Sequence, residues 1–196
     1  MARRCASHPL APQNQVRLTQ PLLTWRRLEP TLFIVPRKVE IERKFVVGEP
    51  PPASRRGRGT PIVQGYFPVR GDLEIRLRRK GAEHLITFKS GAGHQRGEIE
   101  VSIPKTAFES LWPFTTDGRI AKRRYKIPCD GLCIEMDFYE GPHRGLVTAE
   151  VEFGSHGQCR AFQPPPWLGR EITGQKTYSN HTLARRGGLP AKRKGR

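Results

Sequence analysis

Glu40-Ile41-Glu42-Arg43-Lys44-Phe45 is the stretch on which the fold turns. Successive side chains of a strand point to opposite faces, so Glu40, Glu42 and Lys44 share one face, with Val39, Ile41 and Phe45 on the other. The same split recurs downstream. Leu73, Ile75 and Leu77 alternate with Glu74, Arg76 and Arg78, and Ala149, Val151 and Phe153 alternate with Glu150 and Glu152. Period-two runs bounded by turn residues predict eight strands, over 38–47, 62–69, 72–79, 83–90, 96–103, 119–127, 132–140 and 146–154. Residues 104–112 read as a short proline-led helix, and another begins within 165–170. The predicted class is mainly β (α+β), with accessory helices.

Across these strands one face is apolar and the other almost wholly ionisable. Glu40, Glu42, Glu74, Glu98, Glu100, Glu135, Asp137, Glu150 and Glu152 stand with Lys44, Arg76, Arg78, Lys89, Lys122, Arg124 and Lys126. A half-solvated antiparallel sheet also alternates, but its polar face normally mixes Thr, Ser and Gln with its charges. If the sheet closes, the charged face lines a lumen about wide enough for one small ligand. Carboxylates suit hard divalent cations such as Mg²⁺ and Mn²⁺, whereas guanidinium and ammonium groups suit phosphate oxygens. A polyphosphate with its metal uses both kinds of group.

The charge of the whole chain, +17 over 196 residues, points elsewhere until it is located. Residues 1–38 contribute a net six positive charges, 184–196 another six and 51–61 three, which leaves the body near +2. That excludes a body built to grip duplex DNA and leaves nucleic acid only a weak contact through the basic tails. Residues 1–37 are proline-interrupted, arginine-rich and without period, and are predicted disordered; a targeting segment and an over-extended reading-frame start share that composition. Residues 38–184 form the single predicted domain, and 185–196 a disordered basic tail. The loop over 49–61, with Pro50-Pro51-Pro52 and Arg55-Arg56-Gly57-Arg58, reads as a solvated insertion.

Cys5, Cys129, Cys133 and Cys159 do not make a disulfide framework, and no secretory or membrane-spanning segment is visible. A soluble, cytoplasmic protein with no membrane partner is expected. Cys129 and Cys133, with His143 and His156 downstream, raise the option of zinc. The two cysteines flank an Asp130-Gly131 hairpin turn and lack paired CxxC spacing, so ordinary hairpin thiols are the better reading.

Glu40-x-Glu42-x-Lys44 is joined by Gln64-Gly65-Tyr66, Glu74-x-Arg76-x-Arg78, Thr87-Phe88-Lys89, Glu98-Ile99-Glu100, Lys122-x-Arg124-Tyr125 and Glu135-x-Asp137. Gly145-Leu146, Ala149-Glu150-Val151-Glu152-Phe153, the run from Trp167-Leu168-Gly169-Arg170 to Gly174, and Tyr178-Ser179-Asn180 follow in order. Over residues 38–184 the chain resembles the CYTH superfamily, or triphosphate tunnel metalloenzymes, and in particular the short bacterial inorganic triphosphatases.

That resemblance implies an eight-stranded antiparallel β-barrel and Mg²⁺- or Mn²⁺-dependent hydrolysis of inorganic triphosphate to pyrophosphate and phosphate, with two ions per site. It assigns metal binding to Glu40, Glu42, Asp137, Glu150 and Glu152, and phosphate binding to Lys44, Arg76, Arg78, Lys89, Lys122 and Arg124. Lys44 and Glu42 are the catalytic pair; Lys44 orients the attacking water or, given a depressed pKa, accepts its proton. Glu74, Glu98, Glu100 and Lys126 share the face with interior charge balance as their competing role. Adenylate cyclisation, thiamine or nucleoside triphosphate hydrolysis, and non-catalytic polyphosphate or RNA-end binding are the alternative functions. Two departures stand out: Lys176-Thr177 precedes Tyr178 where relatives often have a base, and the 50–58 loop replaces a helical connection.

Overall fold

A computed structural model describes residues 41–52, 57–71, 73–90 and 97–190. Glu40, the extension over 1–37, part of the proline-arginine loop and the end of the basic tail lie outside the described residues. The strands are β1 (Ile41–Val46), β2 (Thr60–Tyr66), β3 (Glu74–Lys80), β4 (Glu83–Ser90), β5 (Gly97–Ser102), β6 (Arg119–Cys129), β7 (Leu132–Tyr139), β8 (Val147–Phe153) and β9 (Arg170–Glu171). They form one antiparallel sheet in the order β5-β4-β3-β2-β6-β7-β8-β1-β9.

The class is the one read from the sequence, but among the described residues the barrel is not closed by hydrogen bonds: β5 and β9 are the outer strands. The reason lies at β1. Its outward-facing backbone is already engaged, because Ile172 donates its N–H to the Lys44 carbonyl at 2.7 Å, Lys44 donates to Thr173 Oγ1 at 3.0 Å, and β9 pairs with Phe45 and Val46. This two-residue ninth strand therefore takes the edge that a barrel would give to β5. The sheet is still strongly curled, since Glu42 of β1 and Glu98 of β5 line one cavity.

The outer face of β1, β7 and β8 carries the main core, with Phe45, Met136, Ala149 and Val151 under Phe162 and Leu168. Short helix α2 (His156–Ala161) and the 3-10 turn Pro166–Leu168 supply that cover. Helix α1 (Lys105–Leu111) starts behind Pro104, as read from the sequence, and buries Phe108 against His84. Beyond α1 the apolar outer face of the β4–β5 end is exposed at Phe88, Ile99 and Val101, so the expected cover of helices and loops reaches only part of the sheet.

A second cluster sits on the inner face, where Leu183 and Ala184 of α3 (Asn180–Arg186) meet Tyr66, Ile120 and Tyr139. Gly118, at φ 108°, permits this approach: a Cβ there would lie 2.5 Å from the Ala184 carbonyl carbon. Helix α3 runs to Arg186, so the first two residues of the predicted tail are helical. The Asp130-Gly131 turn is observed, with positive φ at both residues as its turn type requires. Register pairs Cys129 with Leu132 and Pro128 with Cys133, placing the two cysteines on opposite faces, where they cannot share a metal. No described helix is long and apolar enough to cross a membrane.

Candidate functional site

The inner face is assembled by register, with β1 to β6 and β8 contributing residues of one parity to a cavity of about 320 Å³. Six carboxylates (Glu42, Glu74, Glu98, Glu100, Glu150, Glu152) and five basic side chains (Lys44, Arg76, Arg78, Lys89, Arg124) line it. The predicted site residues in view are thus largely brought together. Lys122 and Asp137 are the exceptions: at 2% and 1% exposure they lie beneath the lining and pair at 2.5 Å.

On the β6–β8 wall the charges are mutually saturated. Arg124 donates through Nε to Asp137 Oδ1 at 2.7 Å and through Nη2 to Asp137 Oδ2 at 2.6 Å and Glu150 Oε2 at 2.9 Å, while Nη1 bonds Glu135. Lys44 reaches Glu150 Oε1 at 2.7 Å from the paired position on β1. Burial raises the pKa of Glu150, yet Lys44, Lys122 and Arg124 outweigh it and hold the carboxyl well below the usual range. Burial likewise opposes the charge of Arg124, and the hydrogen-bonded Asp137 with Glu150 and Glu135 overcomes it, raising the guanidinium above its ordinary value.

For Lys44, burial opposes the charge, and Glu150, Tyr139 and Asp137 more than restore it, so its pKa lies above the ordinary lysine value. The depressed pKa on which Lys44 as proton acceptor was conditional is not the direction found, because the carboxylates that hold it stabilise the ammonium. Lys122 differs: desolvation dominates over Asp137 and lowers it to about 8.

On the β3–β5 wall the arginine–carboxylate contacts are longer. Arg76 Nη2 lies 3.4 Å from Glu100 and 3.8 Å from Glu98, and Arg78 Nη1 is 3.9 Å from Glu100. Lys89 meets Glu98 at 2.7 Å, and Thr87 Oγ1 donates to Glu100 at 2.8 Å. Arg76 Nε, Arg78 Nε and Gln64 Oε1 are buried with no hydrogen-bond partner among the described residues. Burial and then the neighbouring Arg76 charge lower the pKa of Arg78, with Glu100 only partly compensating.

Glu42 and Glu152 stand opposite each other across β1 and β8, both toward the cavity. Carboxylate oxygens such as theirs and those of Glu150 are the donor type that a hard divalent cation takes. Asp137 is held by Lys122 and Arg124 and shares Arg124 Nη2 with Glu150, and no group of three or more ligating side chains converges among the described residues. Lys126 is largely exposed at the rim, 3.6 Å from Glu135.

His181 of α3 was not anticipated. Its Nε2 donates to Asp117 at 2.8 Å, Nδ1 lies 3.3 Å from Glu74, and the ring stacks on Tyr66 at 4.6 Å. Gln64 Nε2 donates to Tyr66 Oη at 2.7 Å, and burial pushes the Tyr66 phenol up to about 12. Strand parity already places Gln64, Tyr66 and Thr87 on the charged face; no comparable signal marks His181.

No protein-family model matches the chain. An inorganic triphosphatase from Nitrosomonas europaea is 44% identical over 148 residues, covering 74% of this chain and 96% of that protein. Another, from Acetivibrio thermocellus, is 32% identical over 148 residues, covering 74% and 93%. The crystal structure of an inorganic triphosphatase superposes with a TM-score of 0.60 at 39% identity, covering 79% of this chain and 98% of that one. The chain belongs to the CYTH-like inorganic triphosphatase family. A Hippeastrum protein reported with a dominant triphosphatase activity shares the fold at 17% identity and a TM-score of 0.52, covering 76% and 97%. Within this family frame the open sheet around a charged cavity is the candidate active site.

Proposed function

We propose that this chain hydrolyses inorganic triphosphate to pyrophosphate and orthophosphate in the β-sheet cavity, with Mg²⁺ or Mn²⁺ as cofactor. The observation that carries the reading is the meeting of six carboxylates and five bases in about 320 Å³, a near-balanced lining suited to a polyanion that arrives with cations.

Arg76, Arg78 and Lys89 receive the phosphate oxygens from one wall, and Arg124, its nitrogens held by Asp137, Glu135 and Glu150, lends positive charge from the other. Glu42, Glu150 and Glu152 would hold the cation, with Glu40 two residues before Glu42; a second ion would draw on the same carboxylates. When bound, the cation supplies charge neutralisation and acidifies the attacking water. Lys44, held protonated by Glu150, orients the terminal phosphoryl group as a fixed positive charge. Attack of water oxygen on the terminal phosphorus breaks its bridging P–O bond and pyrophosphate leaves. The water proton passes to a carboxylate or a phosphate oxygen, since Lys44 already carries its own.

The test is orthophosphate release from triphosphate, ATP and thiamine triphosphate by the full chain with Mg²⁺, Mn²⁺ or excess EDTA. Selective, EDTA-sensitive release from triphosphate is expected. Cyclic AMP as the product from ATP, or no release from any of the three, overturns the reading.

A further inference from the structure

The two arginines of the β3–β5 wall are met by acids that are poorly placed to satisfy them, while Lys89 holds Glu98 at 2.7 Å. Arg76 is buried to 7% exposure; its Nη2 donates to Thr87 Oγ1 at 3.1 Å and meets carboxylates only at 3.4 and 3.8 Å, and its Nε has no partner among the described residues. Arg78 is in the same position, with a single 3.9 Å contact and a partnerless Nε. Well-formed guanidinium–carboxylate pairs are shorter and often two-pronged, as at Arg124.

The two partners are anchored unequally. Arg76, Arg78 and Lys89 stand on β3 and β4, which are paired on both sides, whereas Glu98 and Glu100 stand on β5, an outer strand paired only with β4. The carboxylates are also the more exposed members, at 28% and 36%. In any exchange of partners the bases stay and the acids move.

We propose that Glu98 and Glu100 are displaceable counter-ions that stand in for substrate phosphate on Arg76, Arg78 and Lys89 and so set the charge an anion needs to remain bound. This rests on the triphosphatase reading and extends it to selectivity. Every incoming anion must displace the same two carboxylates, so each is weakened by a similar factor. Triphosphate, with the most charge to offer the cavity, remains bound. Pyrophosphate, with less, is left weak enough to depart after the reaction.

The experiment is calorimetric titration of the full chain with pyrophosphate and with triphosphate in EDTA, so that affinity is read without turnover. The Glu98→Gln/Glu100→Gln protein is compared with native protein and with a charge-matched Glu83→Gln/Glu109→Gln protein, whose carboxylates are exposed and outside the cavity. Both anions are expected to bind the first variant on the order of tenfold more tightly, and the control near the native value. In steady state the same variant shows stronger inhibition by pyrophosphate. Unchanged or weaker binding, or an equal gain in the control, overturns the proposal. So does an increased Mn²⁺ requirement with no gain in anion affinity, which would make the two residues cation ligands. If the double variant does not fold by circular dichroism, single Glu100→Gln carries the same comparison. Because binding is read in EDTA, absence of triphosphate hydrolysis by native protein sinks the proposed activity and leaves this outcome separately legible.

Discussion

On the wall built by β6, β7 and β8, Arg124 is met by Asp137, Glu135 and Glu150, and the pair Lys122–Asp137 is sealed beneath it. On the wall built by β3, β4 and β5, carboxylates meet Arg76 and Arg78 only at 3.4 to 3.9 Å, and both arginines retain buried N–H groups without partners among the described residues. The same residue types, on the same face of one sheet, do different work. A buried charge network is tolerable only when its members satisfy one another, so the first wall reads as part of what holds the sheet in its curve. The second holds donors in reserve for a ligand.

The largest effect that follows is structural. Arg124→Ala leaves Asp137 and Glu150 without their main partner and should cost about 3–5 kcal/mol, read as a lowered urea midpoint at unchanged slope. A loss below about 1 kcal/mol would break the contrast between the walls.

The acid limb of stability sharpens it next. Glu150 has a folded pKa below its unfolded value, so its contribution is present above the ordinary glutamate range and is lost as pH falls through that range toward the folded value. Glu150→Gln should therefore be less stable than native protein at pH 7, and the gap should narrow as pH falls below about 5. A gap independent of pH would remove the ionic explanation.

A surface pair sets the lower bound. Arg43 contacts Glu171 at 2.7 and 3.2 Å, but the carboxylate is 40% exposed. Glu171→Gln should cost under about 1 kcal/mol by urea unfolding, and less still in high salt.

Strand parity made much of this legible before any coordinates. Alternation alone grouped Glu42 with Lys44, Arg76 with Arg78 and Glu150 with Glu152, because parity depends only on a residue's own strand. Pairing across strands was not legible: that Arg124 joins Asp137, Glu135 and Glu150 while Arg76 strains toward Glu100 depends on register, which no single strand's pattern encodes. The open sheet was missed for a similar reason. Arg170-Glu171 is too short to announce a strand, yet it takes the β1 edge on which closure depended. His181 reaches the cavity only because α3 packs against Gly118, a tertiary event with no local signature.

The division of labour between the walls is tested most directly by triphosphate turnover in the Arg76→Ala protein, measured on material shown to be folded. The account predicts kcat/KM for triphosphate reduced by about a hundredfold or more, as for removal of one preorganised donor to a developing charge. A folded Arg76→Ala protein that turns over triphosphate at the native rate would contradict it.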